Sequence, residues 1–132
     1  MREIKFRGHS IYEDKWVYGG VHIVGDDAMI LAVRPGNLIF HAPVDPKSVG
    51  EFTGLHDKDG KEIYEGDRLV CTVNDEPVGE IDRVQFKDGE FRLANRDRSL
   101  RSWLYTEELY GKEVECNFYL AGNIYEHPDL LK

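Results

Sequence analysis

The 132-residue chain has only two cysteines. Cys71 and Cys116 lie far apart with no CxxC pair, which excludes a disulfide framework and a zinc ribbon. Each sits in a strand-like run, and the expectation is two buried free thiols in a reducing cytoplasm. Long apolar runs are missing as well. The longest, residues 28–33, is far too short to span a bilayer. Met1-Arg2-Glu3 runs straight into alternating residues with no leader-like stretch. The expectation is a cytoplasmic protein with no membrane contact. Positive charge is scarce: 17 basic residues face 25 acidic ones, for a net charge of −8. That balance argues against a dedicated duplex nucleic-acid binder, while a local basic patch stays compatible with it.

Signatures of chemistry are equally sparse. There is no GxSxG elbow for a hydrolase triad, and neither GxGxxG nor a P-loop for nucleotides. The five histidines, His9, His22, His41, His56 and His127, are scattered singly, with no HxH or HExxH pattern. The carboxylate pairs Asp26-Asp27 and Glu107-Glu108 are of the kind an acidic chain carries by chance. The chain reads as a non-enzyme, with no cofactor and no metal expected.

What the sequence does contain is turn chemistry. Residues 53–69, TGLHDKDGKEIYEGDRL, hold two sharp corners. Asp59-Gly60 and Glu65-Gly66-Asp67 offer glycine where positive φ is needed, between runs that alternate like strands. Asp57, Asp59 and Gly60 also look like part of an EF-hand loop. Placing Gly60 sixth, however, puts Leu55 at the first ligand position and Gly66 at the twelfth, where carboxylates are required. The turn reading is therefore preferred.

The rest of the chain reads as short strands joined by tight turns. Residues 3–7 alternate strictly, with Ile4 and Phe6 on one face, and Gly8-His9-Ser10 is read as a break. Residues 15–24 form a second strand whose Gly19-Gly20 pair suggests a bulge or turn. Residues 28–33 and 38–42 flank a turn at 34–37. Pro43 to Pro46 is read as a connector, because proline cannot donate to a central ladder. In the second half, residues 68–73, 78–86 and 90–94 read as strands with turns at 74–77 and 87–89. The odd spacing of Ile81 and Val84 hints at a bulge. Residues 102–110 read as one helical turn, 113–122 as a final strand and 123–131 as a short helix or tail. The fold class expected is mainly β with little helix: a small SH3-like barrel in the second half, and additional N-terminal strands. One domain spans residues 1–132, with candidate subdomains at 1–48 and 49–132.

Three blocks carry a family resemblance: residues 1–7, residues 53–55 with 57–67, and the closing GNIYEHPDLL of residues 122–131. In order and spacing the chain resembles the YopX family of phage and prophage proteins. His9 and His127 are minor departures. The resemblance implies a small β-rich protein from a phage or a prophage region, and it carries over neither an activity nor catalytic residues.

Two sets of candidate binding residues remain. Arg92, Arg96, Arg98 and Arg101 fall close together with Trp103 just beyond, and Arg83 is placed on the paired strand. Arginine with an aromatic suits single-stranded nucleic acid. The alternative, a solvated loop with Asp97 neutralising part of it and Trp103 in the core, is preferred. Tyr64 and Tyr125, amphipathic in character, are candidates to seal the core edge or an interface. The leading expectation is protein contact, as a homo-oligomer or against a host or phage protein. Nucleic-acid binding through residues 92–103 comes second, and an enzyme of unrecognised type third.

Overall fold

The computed structural model describes residues 3–94, 98–100 and 116–126. The chain is mainly β, in antiparallel ladders. It divides into two compact units, Met1–Gly54 and Leu55–Lys132. No helix among the described residues is long and apolar enough to cross a membrane.

The first unit holds β1 (Phe6–His9), β2 (Trp16–Val24), β3 (Asp27–Arg34), β4 (Leu38–Val44), a short 3-10 turn (Pro46–Ser48) and most of β5 (Gly50–His56), which runs on past the boundary. Its strands lie in the order β4-β3-β2-β1-β5. The alternation expected over residues 3–7 does not set the first strand. The ladder uses Phe6 to His9, opposite Gly19 to Trp16. Gly8, read as a breaker, sits inside it for want of room: a Cβ there would lie 2.7 Å from a Val44 methyl. At Gly19 the strand passes from pairing with β1 to pairing with β3, and a Cβ would fall 2.0 Å from the Leu31 carbonyl oxygen. Pro43 belongs to β4 rather than to a connector. A strand at the end of the sheet order tolerates proline. Asp45 caps the 3-10 turn, its side chain accepting from Lys47 N–H. One face of the sheet builds the core, where Ala28, Ile30 and Val44 are buried with Phe6, Val17, Val21 and Val49 against them.

The second unit begins with Leu55 and His56 of β5, which neighbour β6 (Glu62–Tyr64). It continues through β7 (Asp67–Val73), β8 (Glu76–Lys87), β9 (Glu90–Leu93), β10 (Arg98–Ser99) and β11 (Cys116–Asn123). Five of these order as β10-β9-β8-β7-β11. β10 and β11 are the two ends of that order, so the SH3-like closure is not seen among the described residues. The expected bulge is present: between Leu69 and Cys71 the register on β8 jumps from Asp82 to Val78. The β7–β8 turn is tighter than expected. Asn74 and Asp75 take positive φ, as do Asp88 and Gly89 in the next hairpin, as two-residue turns require. Ile63, Leu69, Val84, Leu93 and Leu100 form the core, with Leu55, Phe91 and Leu120 against it. Cys71 is a buried free thiol. The helical turn expected over 102–110 and the tail beyond residue 126 lie outside the described residues.

Candidate interaction surface

The 53–69 stretch is scaffold. Asp57 is buried, and both its oxygens accept main-chain amides: Oδ1 takes Asp59 and Lys61 N–H at 2.9 Å each, and Oδ2 takes Leu120 N–H at 3.1 Å. Lys58 N–H donates to Phe118 O at 2.8 Å, fastening the same turn to β11. This is the Asx-turn geometry that a short acid provides. Asp67 Oδ2 likewise accepts Tyr64 N–H at 2.7 Å across the second corner. Asn123 and Glu126 bond reciprocally, amide side chain to carboxylate and main-chain N–H to Oδ1. Among the described residues, no group of three or more His, Cys, Asp and Glu side chains is placed to hold a metal ion.

The named candidates fall in different surroundings. Tyr64 is 2% exposed, and its hydroxyl donates to Glu62 Oε1. It lies in the core of its unit. Tyr125 is half-buried beside the Asn123–Glu126 pair. Arg92 sits between two carboxylates, 3.6 Å from Asp88 and 3.5 Å from Glu90. Arg83 is half-buried and faces Arg68 in the ladder, and its carbonyl accepts Ala94 N–H. Arg98 lies in β10 opposite Leu93. Arg96, Arg101 and Trp103 lie outside the described residues.

A different region gathers exposed apolar surface. Nine of the ten described large apolar or aromatic side chains that stand exposed are in the first unit, and Phe86 is the tenth. Pairing explains the part of it that lies on β2, β3 and β4. Val21, Ile30 and Ala42 form a core-facing row across β2, β3 and β4. The alternate rows, His22-Met29-Pro43, Gly20-Leu31-His41 and Val33-Ile39, face the other way. At the β3–β4 tip even the core-facing row emerges from cover. Leu38 is 67% exposed, Ile39 69% and Val33 71%. The Arg34 guanidinium stacks 3.6 Å from the Phe40 ring centroid and is the nearest charge in the hairpin.

Beside this surface β1 and β2 carry a polar–aromatic cluster. Arg7 lies 4.5 Å over the Trp16 ring, and His9 meets the same ring edge-on at 5.2 Å. His9 Nε2 is 3.0 Å from Asp14 Oδ1. A serine is close as well, yet Ser48 Oγ accepts His9 main-chain N–H at 2.7 Å and donates to Asp45 O at 2.6 Å. Its hydroxyl is held by the main chain rather than by the imidazole, so Ser48, His9 and Asp14 do not form a hydrolase triad. In the adjoining loop Lys15 bonds Glu13 at 2.6 Å and holds its carboxyl below the ordinary value of 4.5.

Residues 5–132 match the family described as YopX protein. The chain belongs to the YopX family. Among solved structures, this YopX-family chain is similar to protein EF1440 from Enterococcus faecalis, with a TM-score of 0.58, 22% identity and coverage of 100% of both chains. At that identity the likeness is one of fold. No curated protein matches the chain in sequence.

Sequence reasoning missed Val33, Leu38 and Ile39 as surface groups. The run of residues 28–33 reads apolar on both faces, as a strand covered on both sides would. The one available signal was the hairpin tip itself, where Pro35-Gly36-Asn37 puts both flanks at the end of the sheet.

Proposed function

We propose that the protein is a non-enzymatic accessory protein of a phage or prophage, working in the host cytoplasm through protein contacts. The contact surface is the outer face and β3–β4 tip of the first unit. The observation that carries this reading is the exposure of Val33 and Ile39, paired on the outer face, with Leu38 exposed at the tip and no Asp, Glu, Lys or Arg in residues 38–42. Contiguous exposed apolar surface marks interaction sites, and aromatic and aliphatic groups with arginine suit the centre of an interface. Membership of the YopX family fits such a role and supplies no catalytic residues against it. Nucleic-acid binding is less supported, because Arg92 already sits between Asp88 and Glu90.

The test is light scattering together with affinity capture from a bacterial host lysate, on the wild type and a Val33→Lys/Ile39→Lys variant. The expected result is a stoichiometric protein complex that the variant loses while its circular dichroism stays unchanged. A wild type that is monomeric, captures nothing and gains mass only with short single-stranded DNA at low salt overturns the reading.

A further inference from the structure

β4 ends the strand order of the first unit, so one side of it lacks a neighbouring strand. Which groups point outward follows from one residue. Pro43 O accepts Ile11 N–H from outside the sheet at 3.2 Å, and Asp45 N–H donates outward to His9 O at 2.9 Å. Main-chain groups alternate along a strand, so the odd-numbered residues of β4 present N–H and C=O to the edge. The Ser10↔Val44 bridge and the Ile11 bond cover the end of the strand at Pro43 and Val44. The N–H and C=O groups of Ile39 and His41 remain on an edge that no described strand covers. Residues 38–42, LIFHA, also lack the charge, proline or bulge that usually blunts such an edge.

We infer that the β4 edge pairs antiparallel with β4 of a second copy of this chain, about a two-fold axis at Phe40. This rests on the protein-contact reading and names the partner. Only an extended strand satisfies alternating outward amides and carbonyls in register. Three features select a copy of the same strand. The first is register. Ile39 opposite the second copy's His41, and the reverse, closes four main-chain hydrogen bonds. One step along would use Pro43, which has no N–H and whose carbonyl is taken by Ile11. One step back would use Asn37, whose φ of 61° leaves the extended region. The second feature is side-chain pairing. Phe40 meets Phe40, Leu38 meets Ala42 and Ile39 meets His41, with no like charges opposed. The third is charge. The first unit carries six basic and seven acidic residues, so copies meet there with little repulsion.

The register predicts its own cross-link. Phe40 faces its counterpart in a non-hydrogen-bonded pair, where Cα atoms approach about 4.5 Å, within disulfide reach. Phe40→Cys is therefore expected to form a covalent dimer on mild oxidation, whereas Leu38→Cys and the wild type stay uncross-linked. By light scattering the wild type is expected at twice the monomer mass of 15.2 kDa. His41→Pro removes an outward donor from each copy and spares the β3 ladder. Two bonds of the four are lost, and the dimer dissociation constant is expected to rise on the order of 30-fold. A wild type that is monomeric at high concentration overturns the inference. So does a dimer that His41→Pro leaves intact and that Leu38→Cys cross-links as well as Phe40→Cys does. If the monomeric wild type still captures another protein and loses it in Val33→Lys/Ile39→Lys, self-pairing fails while the protein-contact reading stands.

Discussion

The two units handle polarity in opposite ways. In Leu55–Lys132 charged groups work inside: the acids Asp57, Asp67 and Asp82 are buried, and so is Arg68, at 1% exposed. Asp57 and Asp67 accept main-chain amides, and Asp82 accepts Arg83 N–H at 2.8 Å. In Met1–Gly54 the described buried charge is Arg7, while apolar side chains stand in water at the β3–β4 tip. The second unit carries eleven basic and eighteen acidic residues, and of its described large apolar side chains Phe86 alone stands exposed. The comparison teaches that the most recognisable stretch of this sequence is structural. The exposed apolar surface lies where the motif signal is weakest.

The largest effect is expected where the comparison is sharpest. Asp57→Ala leaves three amides without their charged acceptor and should destabilise the protein by about 4 kcal/mol in urea unfolding. Asp57→Asn keeps one accepting oxygen and should cost about half as much, roughly 2 kcal/mol. If both variants unfold like the wild type, the stretch is not scaffold and the contrast collapses. Next comes Gly19→Ala, where a Cβ meets the Leu31 carbonyl. A loss of about 3 kcal/mol is expected from the clash and the φ it forces. That result would show that the first unit is as tightly registered as the second despite its exposed face.

Smaller effects test the surface itself. At concentrations where the chain is monomeric, Ile39→Lys should change stability by no more than about 0.5 kcal/mol, because in the single chain the side chain is exposed. A large loss would mean that the tip is fold rather than contact surface. The smallest effect is at Glu13. Its folded pKa is lowered by the bond to Lys15, then by the Lys15 charge. Its contribution is therefore present above the unfolded value and fades as pH falls through the folded one. An NMR titration should place the midpoint below 4.5, returning toward that value in Lys15→Ala.

Much of this architecture was legible in the sequence, and the reason is local. Gly60, Gly66 and Gly89 take the positive φ that their turns imply. The odd spacing of Ile81 and Val84 does mark a bulge. Features set by distant neighbours were not legible. Gly8 looks like a breaker until Val44, far along the chain, is seen against it. Pro43 looks like a connector until β4 is known to end the sheet. The exposure of Ile39 depends on which rows are covered, and alternation alone does not show that when both faces are apolar.

The Asp57–Leu120 bond joins residues 63 apart in sequence. With Lys58 to Phe118, and with β11 on β7, it makes the second unit depend on a strand synthesised long after its first corner. Emerging from a ribosome at about 5–20 residues per second, that unit waits roughly 3–12 s between its first corner and its last strand. The first unit needs nothing beyond its own residues to close its ladders. Its β1 to β4 ladders can therefore pair, with the exposed β3–β4 tip in place, while the acidic half is still an unfinished chain.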